Sequence, residues 1–154
     1  MGNSLAIIPA RGGSKRIPKK NIRDFAGKPI IAYSVELALT SGLFDQVVVT
    51  TDCEEIAEVA RRYGAETPFQ RAANLSDDTA PTIKVIGDAV RRVEALGATQ
   101  YDAVCCILPT APLLTPEVLK EGFQMLSDEA NEYVVSVGKY HYPIFRAFEL
   151  TEQN

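Results

Sequence analysis

Arg11, Lys15, Arg16, Lys19, Lys20, Arg23 and Lys28 crowd into residues 11–28 with a single acid, Asp24, among them. The same segment holds two adjacent glycines, Gly12 and Gly13, in the stretch ARGGSK. Consecutive glycines let the backbone turn tightly and expose N–H groups, which together with nearby Arg and Lys can cradle a phosphate. The P-loop pattern G-x-x-x-x-G-K-[ST] and the dinucleotide fingerprint G-x-G-x-x-G are both missing, so neither familiar phosphate motif applies. An isolated basic loop can equally be a solvated face. Its position directly after an apolar run, in a chain whose net charge is −4, favours a discrete anionic ligand over a general affinity for nucleic acid.

Other residue types carry less. Cys53 and the adjacent pair Cys105 and Cys106 are too few and wrongly spaced for a disulfide framework or a zinc site, and read as reduced structural thiols. His141, the single histidine, lies among aromatics in KYHYPIFRA, a setting in which packing is commoner than ligand contact. Arg146 in the same stretch is the better candidate for ligand contact, because a guanidinium matches a carboxylate bidentately.

The elements that must position these residues alternate. Leu5–Pro9 is a short apolar run suited to a buried parallel strand, and the basic loop follows it. Pro29 can open a helix that Gly42 stops, and Gln46–Thr51 is β-branched and strand-like. Asp52 can cap a helix through Tyr63, with Ile56, Val59, Ala60 and Tyr63 on one face. Residues 65–81 are rich in turn formers. A helix over about Thr82–Leu96 follows, with Ile83, Ile86, Val90 and Val93 sharing a face. Ala103–Leu108 is a third buried strand broken by PTAP, Pro116 opens a helix to about Ser127, and Tyr133–Val137 reads as a fourth strand.

Strands alternating with helices imply a parallel sheet covered on both faces. Ligands bind such sheets outside the carboxyl ends of the strands, where loops 10–28, 51–53 and 109–115 all emerge. At 154 residues, 46% hydrophobic and 23% charged, residues 1–154 are expected to form one globular domain. No apolar run approaches the roughly 18–20 residues that span a bilayer, and Met1–Ser4 supplies no signal-type start, so a cytoplasmic location without membrane partners is the default.

The run IIPARGGSKRIPKKNI followed by GKPIIAYS closely resembles the acylneuraminate cytidylyltransferase family. The likeness continues through VVVTTDCEEIAEVARRYGAE, PFQRAANLSDDTAPT, LPTAPLLTPE and YPIFRA, and is strongest toward the pseudaminic acid branch. The resemblance implies a three-layer α/β/α fold with a mostly parallel, Rossmann-like sheet of the nucleotide-diphospho-sugar transferase kind. It further implies an enzyme that joins CMP from CTP to an acidic nine-carbon sugar of pseudaminic or sialic acid type, with release of pyrophosphate.

On that likeness Arg11 and Lys20 are the triphosphate-binding, catalytic cations, with Lys15 and Lys19 as electrostatic helpers. Ala10, Gly12, Gly13 and Ser14 line the nucleotide loop, and Asn21 lies near the cytidine. Arg71, Ala80 and Thr82 match positions around the cytosine, although Arg71 could also be an ordinary surface salt bridge. Thr110 falls near the ribose or sugar. Leu108 replaces the Gln of many sialic acid members, which argues against ordinary sialic acid as substrate. Thr110 and Ala111 offer no carboxylate where the deoxyoctulosonate branch has one.

The same resemblance implies Mg²⁺, with its aspartate ligands expected beyond residue 154, and a homodimer for the longer form. The chain alone is then expected to bind CTP more readily than it turns it over. A noncatalytic CTP or sugar-nucleotide binding fragment, and a nucleotidyltransferase for another acidic sugar, remain the alternatives.

Overall fold

The computed structural model describes residues 2–128 and 130–138. Strand β1 (Ser4–Pro9) is central and parallel to both neighbours, β4 (Gln46–Thr50) on one side and β5 (Ala103–Cys106) on the other. The register is regular: Ile7 lies opposite Val48 on β4 and Cys106 on β5. A strand flanked on both edges and covered on both faces must be apolar throughout, and Leu5, Ala6, Ile7 and Ile8 are all fully buried.

Alternate side chains of β1 serve different layers. Ala6 and Ile8 join the core that holds Ile31, Val35 and Ala38 of helix α1 (Ile30–Thr40) and Ile56, Val59 and Ala60 of helix α2 (Glu54–Arg62). Leu5 and Ile7 turn the other way, toward Ile86, Ala89 and Val93 of helix α3 (Thr82–Gly97). The expected α/β architecture, with a parallel sheet between helical layers, is the one observed. Ser34, buried on α1, donates from Oγ to the Leu108 carbonyl at 2.8 Å, so its hydroxyl is satisfied while it ties α1 to the chain leaving β5.

Several expectations are corrected. The buried face of α3 consists of Val85, Ile86, Ala89 and Val93, whereas Ile83 is 78% exposed. The third strand stops at Cys106, beyond which Ile107 is buried and Leu108 exposed. Helix α2 begins at Glu54 with Cys53 at its cap position and no side-chain cap bond, because the Asp52 carboxylate is engaged elsewhere. A small hairpin of β2 (Asp24–Phe25) and β3 (Lys28–Pro29), unforeseen in the sequence, closes the basic loop. Gly27, at φ 96°, supplies its left-handed turn.

The chain divides into two compact units, 1–121 and 122–154. Helix α4 (Pro116–Leu126) begins in the first and ends in the second. In the second unit, Tyr133–Val137 is not a strand. It ladders with no neighbour among the described residues, and Tyr133, Val135 and Val137 are exposed. Its high β-propensity finds no partner strand among the described residues.

Candidate functional site

Because β1 is followed by β4 on one side and β5 on the other, the sheet has a switch point at the carboxyl end of β1, the place where open α/β sheets bind ligands. Three segments meet there through hydrogen bonds. The Ala10 N–H donates to the Thr50 carbonyl at 3.0 Å, and the Arg71 N–H donates to the Thr51 carbonyl at 2.8 Å. The basic loop, the end of β4 and the 70–80 segment are thereby fixed to one another.

Gly12 is required by a close approach. A Cβ at this position would fall 2.8 Å from the Cys53 Cβ. Its N–H donates to Asp52 Oδ1 at 2.9 Å, and its carbonyl accepts from the Ser14 N–H at 2.9 Å. Two of the loop's backbone donors are therefore committed within the protein, while Gly13 has open space around its Cα.

Further along, Lys19 adopts a left-handed conformation (φ 52°) that starts the short helical turn Lys20–Ile22. The turn folds Asn21 inward, where it is 2% exposed and donates from Nδ2 to the Arg11 carbonyl at 3.0 Å. Its Oδ1 is buried without a hydrogen-bond partner among the described residues. Asn21 thus closes the loop upon itself.

Arg71 is buried, its side chain only 4% exposed, and so is no surface salt bridge. Its Nη2 donates to the Ala10 carbonyl at 2.9 Å and lies 3.6 Å from Asp52 Oδ1. Burial pushes its pKa below the usual guanidinium value, and the Asp52 carboxylate opposes that shift. Nε is buried and has no hydrogen-bond partner among the described residues. Asp52, Gln70, Arg71, Ala72, Ala73, Ser76 and Asp77 line an open cleft of about 660 Å³.

Asp77 lines the same cleft, and Asp78 follows it in the chain. Asp77 Oδ1 accepts from the Thr79 N–H, the Thr79 hydroxyl and the Ala80 N–H, bonds that hold its carboxyl below the ordinary range. Asp78 pairs with Lys15 at 2.6 Å and Arg11 at 2.5 Å, and these cations likewise hold its carboxyl low. Arg11 also donates to the Asp77 carbonyl at 3.0 Å. Lys19 is occupied by Glu55 at 2.8 Å, whereas Lys20 is exposed and has no ion pair among the described residues.

Ala10, Arg11, Gly12, Asn21 and Arg71 therefore form one bonded group, to which Ala80 is joined through Asp77. Thr82 is exposed at the first turn of α3. Thr110 is half-buried in the turn that follows Ile107, whose N–H donates to the Ile7 carbonyl, and it has no recorded bond to that group. Arg146 and His141 lie outside the described residues. Sequence reasoning overlooked Asp52, Asp77 and Asp78 as members of the site. For the latter two, the adjacent acids in LSDD facing a basic loop were the available signal.

The comparisons agree with this architecture. The family model described as Cytidylyltransferase matches residues 5–148. Over 151 residues the chain is 50% identical to a pseudaminic acid cytidylyltransferase of Campylobacter jejuni, a match covering 98% of this chain and 65% of that protein. It is 40% identical to a CMP-N,N'-diacetyllegionaminic acid synthase of Legionella pneumophila, over 79% of this chain and 52% of that one. A solved CMP:2-keto-3-deoxy-manno-octonic acid synthetase complexed with CTP superposes with a TM-score of 0.66 at 26% identity, covering 84% of this chain and 49% of that one. The chain thus spans about half to just under two thirds of the length of these relatives. A parallel sheet with its basic loop at the switch point, and a family match running almost end to end, lead to one conclusion: the chain belongs to the cytidylyltransferase family.

Proposed function

We propose that this protein transfers CMP from CTP to an acidic nine-carbon sugar of pseudaminic or sialic acid type, with release of pyrophosphate. The observation that carries the reading is the 50% identity to a pseudaminic acid cytidylyltransferase across nearly the whole chain. The cleft lined by Asp52 and the 70–77 segment, beside the loop that Arg71 and Asp52 hold, supports it.

In this reading the sugar's anomeric hydroxyl attacks the α-phosphorus of CTP, and catalysis consists mainly of placing a polyanion and stabilising the charge that develops on it. Arg11 and Lys20 hold the triphosphate, with Gly13 and the Ser14 hydroxyl as further donors. Arg71 meets the base from the cleft wall it lines, and Ala80 and Thr82 close the other side of the base. Asn21 keeps the loop in shape beneath the cytidine, while Thr110 and Arg146 serve the sugar. A cytoplasmic location and a homodimer of the longer form belong to the same proposal.

A divalent metal would neutralise charge on the transferring phosphate. The described residues do not fit one. Asp52, Asp77 and Asp78 are each committed to internal partners, and among the described residues no group of three or more metal-ligating side chains forms.

Calorimetric titration with CTP, and a pyrophosphate-release assay with pseudaminic, legionaminic and N-acetylneuraminic acids, test the proposal. Saturable CTP binding and release stimulated by one of these sugars are expected. Binding of CTP without any release would favour a noncatalytic nucleotide-binding role. Failure to bind CTP would overturn the reading.

A further inference from the structure

We propose that Asp52 is a positioning residue, one that latches the phosphate-facing glycine turn to Arg71 and through that latch sets the preference for cytosine over uracil. The inference rests on the cytidylyltransferase reading for its ligand, but its structural basis is independent of it.

Asp52 stands where three segments converge. Its Oδ1 accepts from the Gly12 N–H at 2.9 Å and faces Arg71 Nη2 at 3.6 Å. Arg71 returns to the same turn by donating to the Ala10 carbonyl at 2.9 Å. A closed ring results, running from Ala10 through Gly12, Asp52 and Arg71 back to Ala10. The backbone of Asp52 is held as well, since its carbonyl accepts from Gln70 Nε2 at 3.2 Å.

A buried guanidinium without a counter-charge is costly, and Asp52 is the only carboxylate recorded within ion-pairing distance of Arg71 among the described residues. Removing it releases the turn from one side and Arg71 from the other. Cytosine presents its N3 and O2 acceptors on the edge where uracil carries an N3–H donor. A guanidinium held in one orientation discriminates between those edges, whereas a loose one accepts both. Asp52 touches neither base nor phosphate in this scheme and acts through Arg71.

The test has two arms. In the first, CTP and UTP affinities are measured for the wild type, Asp52→Asn, Asp52→Ala, Arg71→Ala and the Asp52→Ala/Arg71→Ala double variant. Asp52→Ala is expected to lower the CTP-over-UTP preference about tenfold, as Arg71→Ala does, with no further loss in the double variant, because residues sharing one network are strongly nonadditive. Asp52→Asn is expected to lose the preference as well, since the amide brings no charge to Arg71. An unchanged preference in Asp52→Ala, or additive losses in the double variant, would overturn the proposal.

The second arm needs no nucleotide. Amide exchange is followed at Gly12 and Arg71, with Ile7 in β1 as the reference for intact folding. Asp52→Ala should speed exchange at Gly12 and Arg71 together, whereas Asp52→Asn, which keeps an acceptor, should leave Gly12 protected. Unchanged Gly12 exchange in Asp52→Ala would show that the latch does not exist. If the wild type binds no CTP while the exchange pattern is as expected, the cytidylyl reading fails and the latch stands.

Discussion

Lys19 and Lys20 are neighbours in the chain with different surroundings. The Lys19 ammonium is held by Glu55, a hydrogen bond that raises its pKa, while Lys20 has no ion pair among the described residues. Lys20→Ala should weaken CTP binding about tenfold to a hundredfold, the worth of roughly 1.5–3 kcal/mol for a hydrogen bond to a charged group. Lys19→Ala should change it little, and calorimetry separates the two. Asp78 occupies Arg11 and Lys15 where the proposed ligand would need them. Asp78→Asn should therefore tighten CTP binding by about two- to fivefold at low salt, the range of an exposed ion pair. Because those cations depress the Asp78 pKa, its contact persists at neutral pH and is lost only as pH falls through that lowered value; a carboxyl titration followed by NMR checks the direction. Arg11, Gly12 and Arg71 were legible in the sequence through the glycine pair and the family likeness. Asp52 was not, because an Asp between a strand and a helix reads as a cap. Its actual partner, Gly12, lies forty positions away, and local spacing cannot report it.

Helix α3 shows how an element can be legible while its orientation is not. Its sequence carries overlapping apolar stripes, one through Ile83, Ile86, Val90 and Val93 and another through Val85, Ala89 and Val93. Packing against Leu5 and Ile7 selects the second together with Ile86. Ile86→Ala should cost about 2–5 kcal/mol in chemical denaturation. Ile83→Ala, at a position 78% exposed, should stay within about 0.5 kcal/mol. The turn between β1 and the basic loop is equally specific. Gly12→Ala should cost about 1–3 kcal/mol through the clash with Cys53 and disturb the Asp52 bond at the same time, so its melting temperature and CTP affinity should fall together. The strand expected over Tyr133–Val137 failed for the opposite reason. β-Branched composition supplies propensity, but only a neighbouring strand supplies a ladder.

The molecule as a whole is built around its first strand, and this has a temporal consequence. Leu5 pairs with Gln46 on one edge and with Val104 on the other, so β1 finds its second partner only after some hundred residues have followed. Closing such distant pairings costs chain entropy, and non-local parallel pairing slows folding. The loop that carries Arg11 grows directly out of β1, and it takes its final shape only against Thr50, Thr51 and Arg71. Stopped-flow refolding should accordingly show nucleotide binding returning in the same slow phase as the sheet signal, with no early species competent to bind. A nascent chain released before Arg71 and Asp78 emerge would carry every cation of the basic loop and still lack the partners that aim them.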